Sequence, residues 1–386
     1  MLAAVRPVCE NDSGNVPIYG RPPALVNQKN DSAEPGGYKD KGQEGAVAND
    51  LSDRKTSGRV TILDVAAAAG VSKSTVSRIL DERLPRASNP TADRVRQVAA
   101  DLGYVRDVSA ANLRRGTSLT LGVIVPRLTD TVMAMLYESL ARACSRRGRS
   151  AIVATTDDRP EAVRAAADSL FNRGVDGLVL ATTRTDDDFA SELRDRGIPF
   201  VLALRGDGHS AASLGDDDLG GWLATRHLID LGHRRIALIA GPEHASNALG
   251  RVEGYRRAMA EAGLPVDPSW VVPSAFSIEG GAEAVQGILK LDPRPTAIFA
   301  VNDNTAIGAM SVIQRAGLNI PSDISLVGYN DIPLVSHLST PLTTVRVPFD
   351  QIATGALELL LAGSTDEQRI ATPTLIPRAT SAAPGR

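Results

Sequence analysis

The sequence predicts a small all-α domain centred on a helix-turn-helix, followed by an α/β domain of two doubly wound lobes with parallel sheets. Three observations predict it. Residues 61–80, TILDVAAAAGVSKSTVSRIL, carry apolar side chains at helical spacing on both sides of a glycine. From Leu119 onward, short apolar runs alternate with helical stretches to the end of the chain. The alternation comes in two successive sets, one for each lobe.

Composition allows this division. A chain of 386 residues with a hydrophobic fraction of 43% can supply several cores. No apolar run approaches a membrane span, and MLAAVRPVCE lacks the basic start and continuous apolar stretch of a signal peptide, so the expected location is the cytoplasm, with no membrane partner. Cys9 and Cys144 lie too far apart in sequence to suggest a metal-ligand or redox pair, which suits a reducing compartment. Charge is uneven. Residues 59–116 carry 10 basic and 6 acidic side chains, whereas 7 and 8 precede them and 25 and 31 follow. Phosphate contact therefore belongs to the small domain.

Residues 1–58, with EPGGYKDKGQEG, hold neither hydrophobic period for long and are expected to be a disordered extension. In the small domain, residues 59–106, Thr61 is placed to cap the first helix with Asp64 three residues on, and Gly70 suits the tight turn. The first helix should bury Ile62, Val65, Ala66 and Ala69, and the second Val71, Thr75, Val76 and Ile79. Ser72, Lys73, Ser74, Ser77 and Arg78 would then face outward as a strip of donors suited to a major groove, although such hairpins also occur in proteins that never touch DNA. Asn89-Pro90 starts a third helix, whose apolar face is Val95, Val98, Ala99 and Leu102; Gly103 ends it and Tyr104 closes the core.

Residues 107–117 form a hinge and linker. DVSAANLRR is too short to hold a helix alone and places Leu113 among Asn112, Arg114 and Arg115. That pattern fits a helix that folds against a symmetry mate on DNA with the leucine wedged into a base step; a plain linker is the rival. Residues 118–386 then read as the two lobes. LTLGVIVP, SAIVATT, GVDGLVLAT and IPFVLAL are buried parallel strands of the first, with helices near 133–147 and 161–173; RRIALIAG, WVVP, TAIFAVND and ISLVGYND belong to the second, with helices near 250–262, 279–289 and 304–316. A ligand cleft is expected beyond the carboxyl ends of the strands.

With these elements in place, the chain resembles the LacI family of bacterial transcription regulators from Val60 to its end. VTILDVAAAAGVSKSTVSRIL is similar to the DNA-binding signature, LGY and AANL to the third helix and hinge. HLIDLGHRRIALIAGP, AIFAVNDNTAIGAM, DISLVGYNDI and PLTTVRVP follow in the family order. The resemblance implies a homodimer on a palindromic double-stranded DNA operator and a periplasmic-binding-protein-like effector domain whose lobes respond to a small molecule. It implies that Lys73 and Ser74 select base sequence, that Arg78 contacts guanine, worth about 1–3 kcal/mol of discrimination, and that Ser72, Thr75 and Ser77 hold phosphates or pack. Thr61 is counted with these DNA-facing residues. Leu113 matches the hinge wedge, and Ala110 the small position where paired hinge helices meet. Arg106-Asp107 departs from the usual Pro-Asn before the hinge.

For the cleft the resemblance implies Asp130, Arg251, Phe276, Asn302, Asp303 and Asn330 as effector-binding residues, a set of amide, carboxylate, guanidinium and aromatic groups that suits a polar ligand. Rival roles stay open: Asp303 as a helix cap, Phe276 as core, Asp331 as a turn residue. Asn330 and Leu204 stand where relatives often carry acidic side chains, and Ala245 lacks the arginine of purine-binding relatives, so a sugar is the expected effector. Ligand would release a repressor from its operator; a corepressor would use the same parts with the opposite sign. Two other functional classes fit the sequence less well. A solute-binding receptor needs export, and an enzyme is disfavoured because the chain has no phosphate-binding loop, dinucleotide fingerprint, C-x-x-C pair or nucleophile elbow. His227 and His233 read as packing positions, and no cofactor or metal is called for.

Overall fold

Residues 60–81, 85, 87–105 and 118–385 are described by the structure, a computed structural model. The expected extension, residues 1–58, and the hinge positions Ala110 and Leu113 lie outside the described residues. Contacts divide the chain after Tyr104.

The first unit holds α1 (Ile62–Ala69), α2 (Lys73–Ile79) and α3 (Pro90–Asp101). Thr61 and Asp64 form a reciprocal capping box: the Thr61 amide and hydroxyl each donate to Asp64 Oδ2 at 2.7 Å, and the Asp64 amide donates to Thr61 Oγ1 at 3.4 Å. These bonds, the backbone one first, hold the Asp64 carboxyl below its ordinary range. Gly70 closes α1 at φ 64°, and its amide reaches back to the last turn. Ser72 caps α2 and Asn89 caps α3, with Pro90 in the first turn as expected. Val65, Ala66, Ala69, Val76, Val95 and Ala99 make the core, with Ile62, Val71, Ile79, Val98 and Tyr104 packed around it. Leu102 corrects the expected face of α3. It is the C-cap residue and is 39% exposed, because the helix ends before the next turn that would carry its side chain inward.

The second unit contains two six-stranded sheets. In the first lobe β1 (Thr120–Val125), β2 (Ser150–Thr155), β3 (Leu178–Leu180), β4 (Phe200–Ala203), β5 (Ala212–Gly215) and β11 (Gln368–Ala371) lie in the order β11-β5-β4-β3-β1-β2, all parallel. In the second, β6 (Ile236–Ala240), β7 (Val271–Pro273), β8 (Ala297–Ala300), β9 (Ser325–Asn330), β10 (Thr343–Arg346) and β12 (Thr374–Ile376) lie in the order β12-β10-β9-β8-β6-β7, with only β12 antiparallel. The first lobe's helices are α4 (Thr131–Arg146), α5 (Pro160–Asn172) and α6 (Phe189–Asp195). The second has α7 (Asp217–Asp230), α8 (Ser246–Glu261), α9 (Ile278–Ile288) and α10 (Asp303–Arg315).

Three features depart from the expected layout. SAIVATT forms a parallel strand, but at the sheet edge with Ile152 42% exposed, so it is not buried on both faces. The helix expected at 250–262 begins four residues earlier, at Ser246, without a side-chain cap. The lobes are also not two consecutive runs. After β10 the chain returns through α11 (Phe349–Ala362), which packs on β4, β5 and α4, adds β11 to the first sheet, and crosses again to β12. Short polar strands such as ASLG and QRIA lack the apolar signature that marked the central ones.

Helices α7 and α8 of the second lobe approach backbone to backbone. A Cβ on Gly221 of α7 would collide with the Arg251 backbone of α8, and one on Gly254 of α8 with the Asp218 backbone of α7. Glycine at the contact lets the axes close, and this closeness brings Arg251 against Asp217. No helix of the described residues is long and apolar enough to cross a membrane.

Candidate functional site

Two surfaces hold the candidate residues. On the first unit, Ser72, Lys73, Ser74 and Arg78 are exposed, while Thr75 and Ser77 are half-buried. Ser72 Oγ accepts from the Thr75 amide at 3.2 Å and lies 2.9 Å from both Ser74 Oγ and Thr75 Oγ1, so three hydroxyls cluster at the start of α2. Helix N-terminal amides and hydroxyls in this arrangement suit phosphate oxygens. Lys73 and Arg78 have no ion-pair partner among the described residues. Thr61 is exposed at the start of α1 with its hydroxyl engaged in the cap.

The second surface is a cleft of about 450 Å³ between the lobes. Its lining follows the carboxyl ends of parallel strands in both sheets: Arg127 and Asp130 after β1, Asp158 after β2, Leu204 and Arg205 after β4, His244, Asn247 and Arg251 after β6, Phe276 after β7, Asn302 and Asn304 after β8, and Asn330 at the end of β9. In each sheet the strand order reverses beside the first strand, which leaves the crevice that doubly wound folds use for ligands.

The structure brings five of the six expected effector residues together here. Arg251 is buried; its Nε donates to Asp217 at 2.8 Å, one Nη donates to the Val301 carbonyl at 2.8 Å, and its guanidinium lies 3.8 Å from the centre of the Tyr329 ring. Two of its five N–H donors are thereby used. Asp130 accepts from the Val132 amide at 3.1 Å as the cap of α4 and from Asn304 Nδ2 at 3.3 Å across the cleft. Burial raises its carboxyl above the ordinary range, opposed by those two bonds. Asn302 caps α10 through the Thr305 amide at 2.8 Å, and Asn330 has φ 106°, a left-handed conformation that asparagine tolerates better than most residues. Phe276 serves both of its rival roles, since it lines the cleft and packs on Ala245, Ala248 and Val301.

Asp303 is the exception. Its side chain does not line the cleft: Oδ2 accepts from the Ile332 amide at 2.8 Å, and Oδ1 from Thr344 Oγ1 at 2.6 Å, in the interior of the second lobe. Asp331 also turns away, paired with Arg346 at 2.7 Å and Arg378 at 2.6 Å. His233 and His227 are packing groups that hold the C-terminal segment through the Ala382 carbonyl and Ser381 hydroxyl, and burial lowers both imidazoles.

Sequence reading missed Asp158, Arg205, His244, Asn247 and Asn304. For Asp158, His244, Asn247 and Asn304 a signal was available, since each lies within a few residues of a strand or helix end that the apolar pattern marks; the turn that brings Arg205 into the cleft gives none.

Comparison with known proteins places this geometry. Residues 61–107 match the model of bacterial regulatory proteins of the lacI family, and residues 225–381 match the periplasmic binding protein-like domain. The chain is 33% identical over 315 residues to the HTH-type transcriptional repressor PurR of Vibrio cholerae serotype O1, covering 80% of this chain and 92% of that one. It is 34% identical over 319 residues to the ribose operon repressor of Escherichia coli strain K12, covering 82% and 94%. Among solved structures, the lac repressor dimer bound to operator and the anti-inducer ONPF superposes with a TM-score of 0.76 at 28% identity, over 84% of this chain and 100% of that chain. The chain belongs to the lacI family of bacterial regulatory proteins and is a DNA-binding transcriptional regulator.

Proposed function

We propose that the protein is a cytoplasmic repressor that binds a palindromic operator as a homodimer and is released when a small polyhydroxylated molecule occupies the cleft. Lys73, Ser74 and Arg78 read base edges, with Arg78 paired to guanine; Ser72, Thr75, Ser77 and Thr61 serve phosphates or helix geometry. Ala110 and Leu113 act at the operator centre as hinge contact and wedge. Arg251, Asp130, Phe276, Asn302 and Asn330 bind effector, whereas Asp303 supports the lobe beneath them. The observation that carries the reading is the presence, in one chain, of an exposed polar strip on α2 and a cleft lined from both sheets. A relative named as the ribose operon repressor supports a small-molecule effector, and the amide-rich lining favours a sugar.

Selection of bound sequences from a random duplex pool at physiological salt, with Leu113→Ala alongside, tests it. Enrichment of a palindrome whose central step only the unmutated protein requires is the expected result. Leu113→Ala should weaken specific binding far more than non-specific binding; equal loss on both would remove the wedge. No enrichment, with or without cell extract, would overturn the operator reading.

A further inference from the structure

Beyond β4 the chain folds back on itself. Leu204 has φ 65°, and the Arg205 amide donates to the Ala203 carbonyl at 2.8 Å, closing a three-residue turn that a bulky residue rarely adopts. The turn delivers Arg205, only 3% exposed, to the cleft wall. One Nη donates to both carboxylate oxygens of Asp158 at 3.0 Å, and Asp158 is itself at φ 60°. The guanidinium lies 5.7 Å from the centre of the Phe276 ring on the opposite lobe. Its Nε–H is buried and has no hydrogen-bond partner. Buried donors are almost always satisfied, and one on a charged group is the costliest to leave open.

Charge around this donor is balanced. Arg205 is matched by Asp158 and Arg251 by Asp217, while Asp130 on the first lobe's wall and Glu279 on the second lobe's offset Arg127. A phosphate or carboxylate entering the cleft would meet no uncompensated buried cation. A neutral oxygen would meet an open N–H.

We propose that Arg205 is a specificity-determining residue of the effector site. Its Nε–H donates to an oxygen of an uncharged, polyhydroxylated ligand, and sugar phosphates and sugar acids are rejected because Asp158 already neutralises the guanidinium. The proposal rests on the reading of the cleft as the effector site.

The test uses the full-length protein and calorimetric titration with matched probes: D-ribose and its 5-phosphate, D-glucose, its 6-phosphate and glucuronate. A neutral sugar should bind at least about 100-fold more tightly than its charged counterparts. Arg205→Lys keeps the charge beside Asp158 but removes the Nε–H, and should weaken the neutral ligand about 10–100-fold, with cooperative unfolding retained. Asp158→Asn frees the guanidinium and should improve binding of the phosphate or acid relative to the unmutated protein. Preference of the unmutated protein for a charged sugar, unaltered neutral-sugar affinity in Arg205→Lys, or an unchanged preference in Asp158→Asn would each overturn the proposal. Response to a nucleobase or extract metabolite without response to any sugar overturns it while keeping the cleft as effector site. No response even to extract removes that site as well.

Discussion

Replacing Asp303 by asparagine should change how stability depends on pH. Asp303 is fully buried in the second lobe, and burial, partly opposed by hydrogen bonds from Thr344 and Ile332, raises its carboxyl from an ordinary 3.8 to about 7. As pH rises through 4 the unfolded chain gives up this proton, while the folded protein keeps it until about 7. The unfolded state therefore gains stability relative to the fold across that window, and the loss levels off above it. At 1.36 kcal/mol per pH unit, the difference between the two values amounts to about 4 kcal/mol as an upper figure.

Asparagine mimics the protonated acid. Its oxygen can accept from the Ile332 amide at the Oδ2 position, and its NH2 can donate to Thr344 Oγ1 at the Oδ1 position. Stability of Asp303→Asn should match the unmutated protein near pH 4–5 and exceed it at pH 8 by up to about 4 kcal/mol. Urea denaturation at intervals from pH 4 to 8 measures the difference curve, in which other titrating groups cancel. Parallel curves would mean that Asp303 is ionised in the fold throughout, and the reasoning would be wrong.

Two further predictions concern neighbouring groups. Arg251→Ala should abolish the ligand response and also cost about 3–5 kcal/mol of stability, because it leaves Asp217 buried without its guanidinium; adding Asp217→Asn should restore stability but not ligand response, and recovery of both would take Arg251 out of the site. Gly254→Ala should destabilise by at least about 1–3 kcal/mol through collision with the α7 backbone. Gly287→Ala, whose added methyl meets no atom within 4 Å on α9, should stabilise by about 0.5–1 kcal/mol; thermal melts of the two variants should shift in opposite directions.

What could be read beforehand followed the strength of the local signal. Central strands such as IALIA and AIFA are buried on every residue, so their apolar runs stood out. Caps at Thr61 and Asn89 were legible because a side-chain oxygen three residues before an amide is a local arrangement, whereas the cap of α10 falls on Asn302 and not on Asp303, the residue expected in that role. Leu102 departs from the expected face because periodicity says where a side chain would point but not where the helix stops. Asn302 and Asp303 look alike as adjacent polar residues at a strand end, yet the capping bond fixes Asn302 at the cleft while Asp303 turns into the interior. Arg205 was invisible for a different reason. Its position depends on a left-handed Leu204 and on a partner, Asp158, that is 47 residues away in sequence, and no residue pattern announces either.

The cross-cleft contacts indicate how a ligand can control the lobes. Among the described residues, four polar contacts bridge them: Thr185 N–H to the His244 carbonyl at 2.9 Å, Gly206 N–H to Ser246 Oγ at 2.9 Å, His244 Nε2 to Asp158 at 3.4 Å, and Asn304 to Asp130 at 3.3 Å. At about 0.5–1.5 kcal/mol each they sum to roughly 2–6 kcal/mol. Inverting a two-state equilibrium from 1:99 to 99:1 needs about 5.5 kcal/mol of differential affinity, which is the same scale. Three of the four contacts lie where β2, β3 and β4 end against the β6–α8 loop, the region that holds Arg205 and Phe276. A ligand that satisfies groups on both walls there competes with, or adds to, contacts of comparable strength, and that balance lets a small molecule shift the lobes of a protein whose cores are otherwise closely packed.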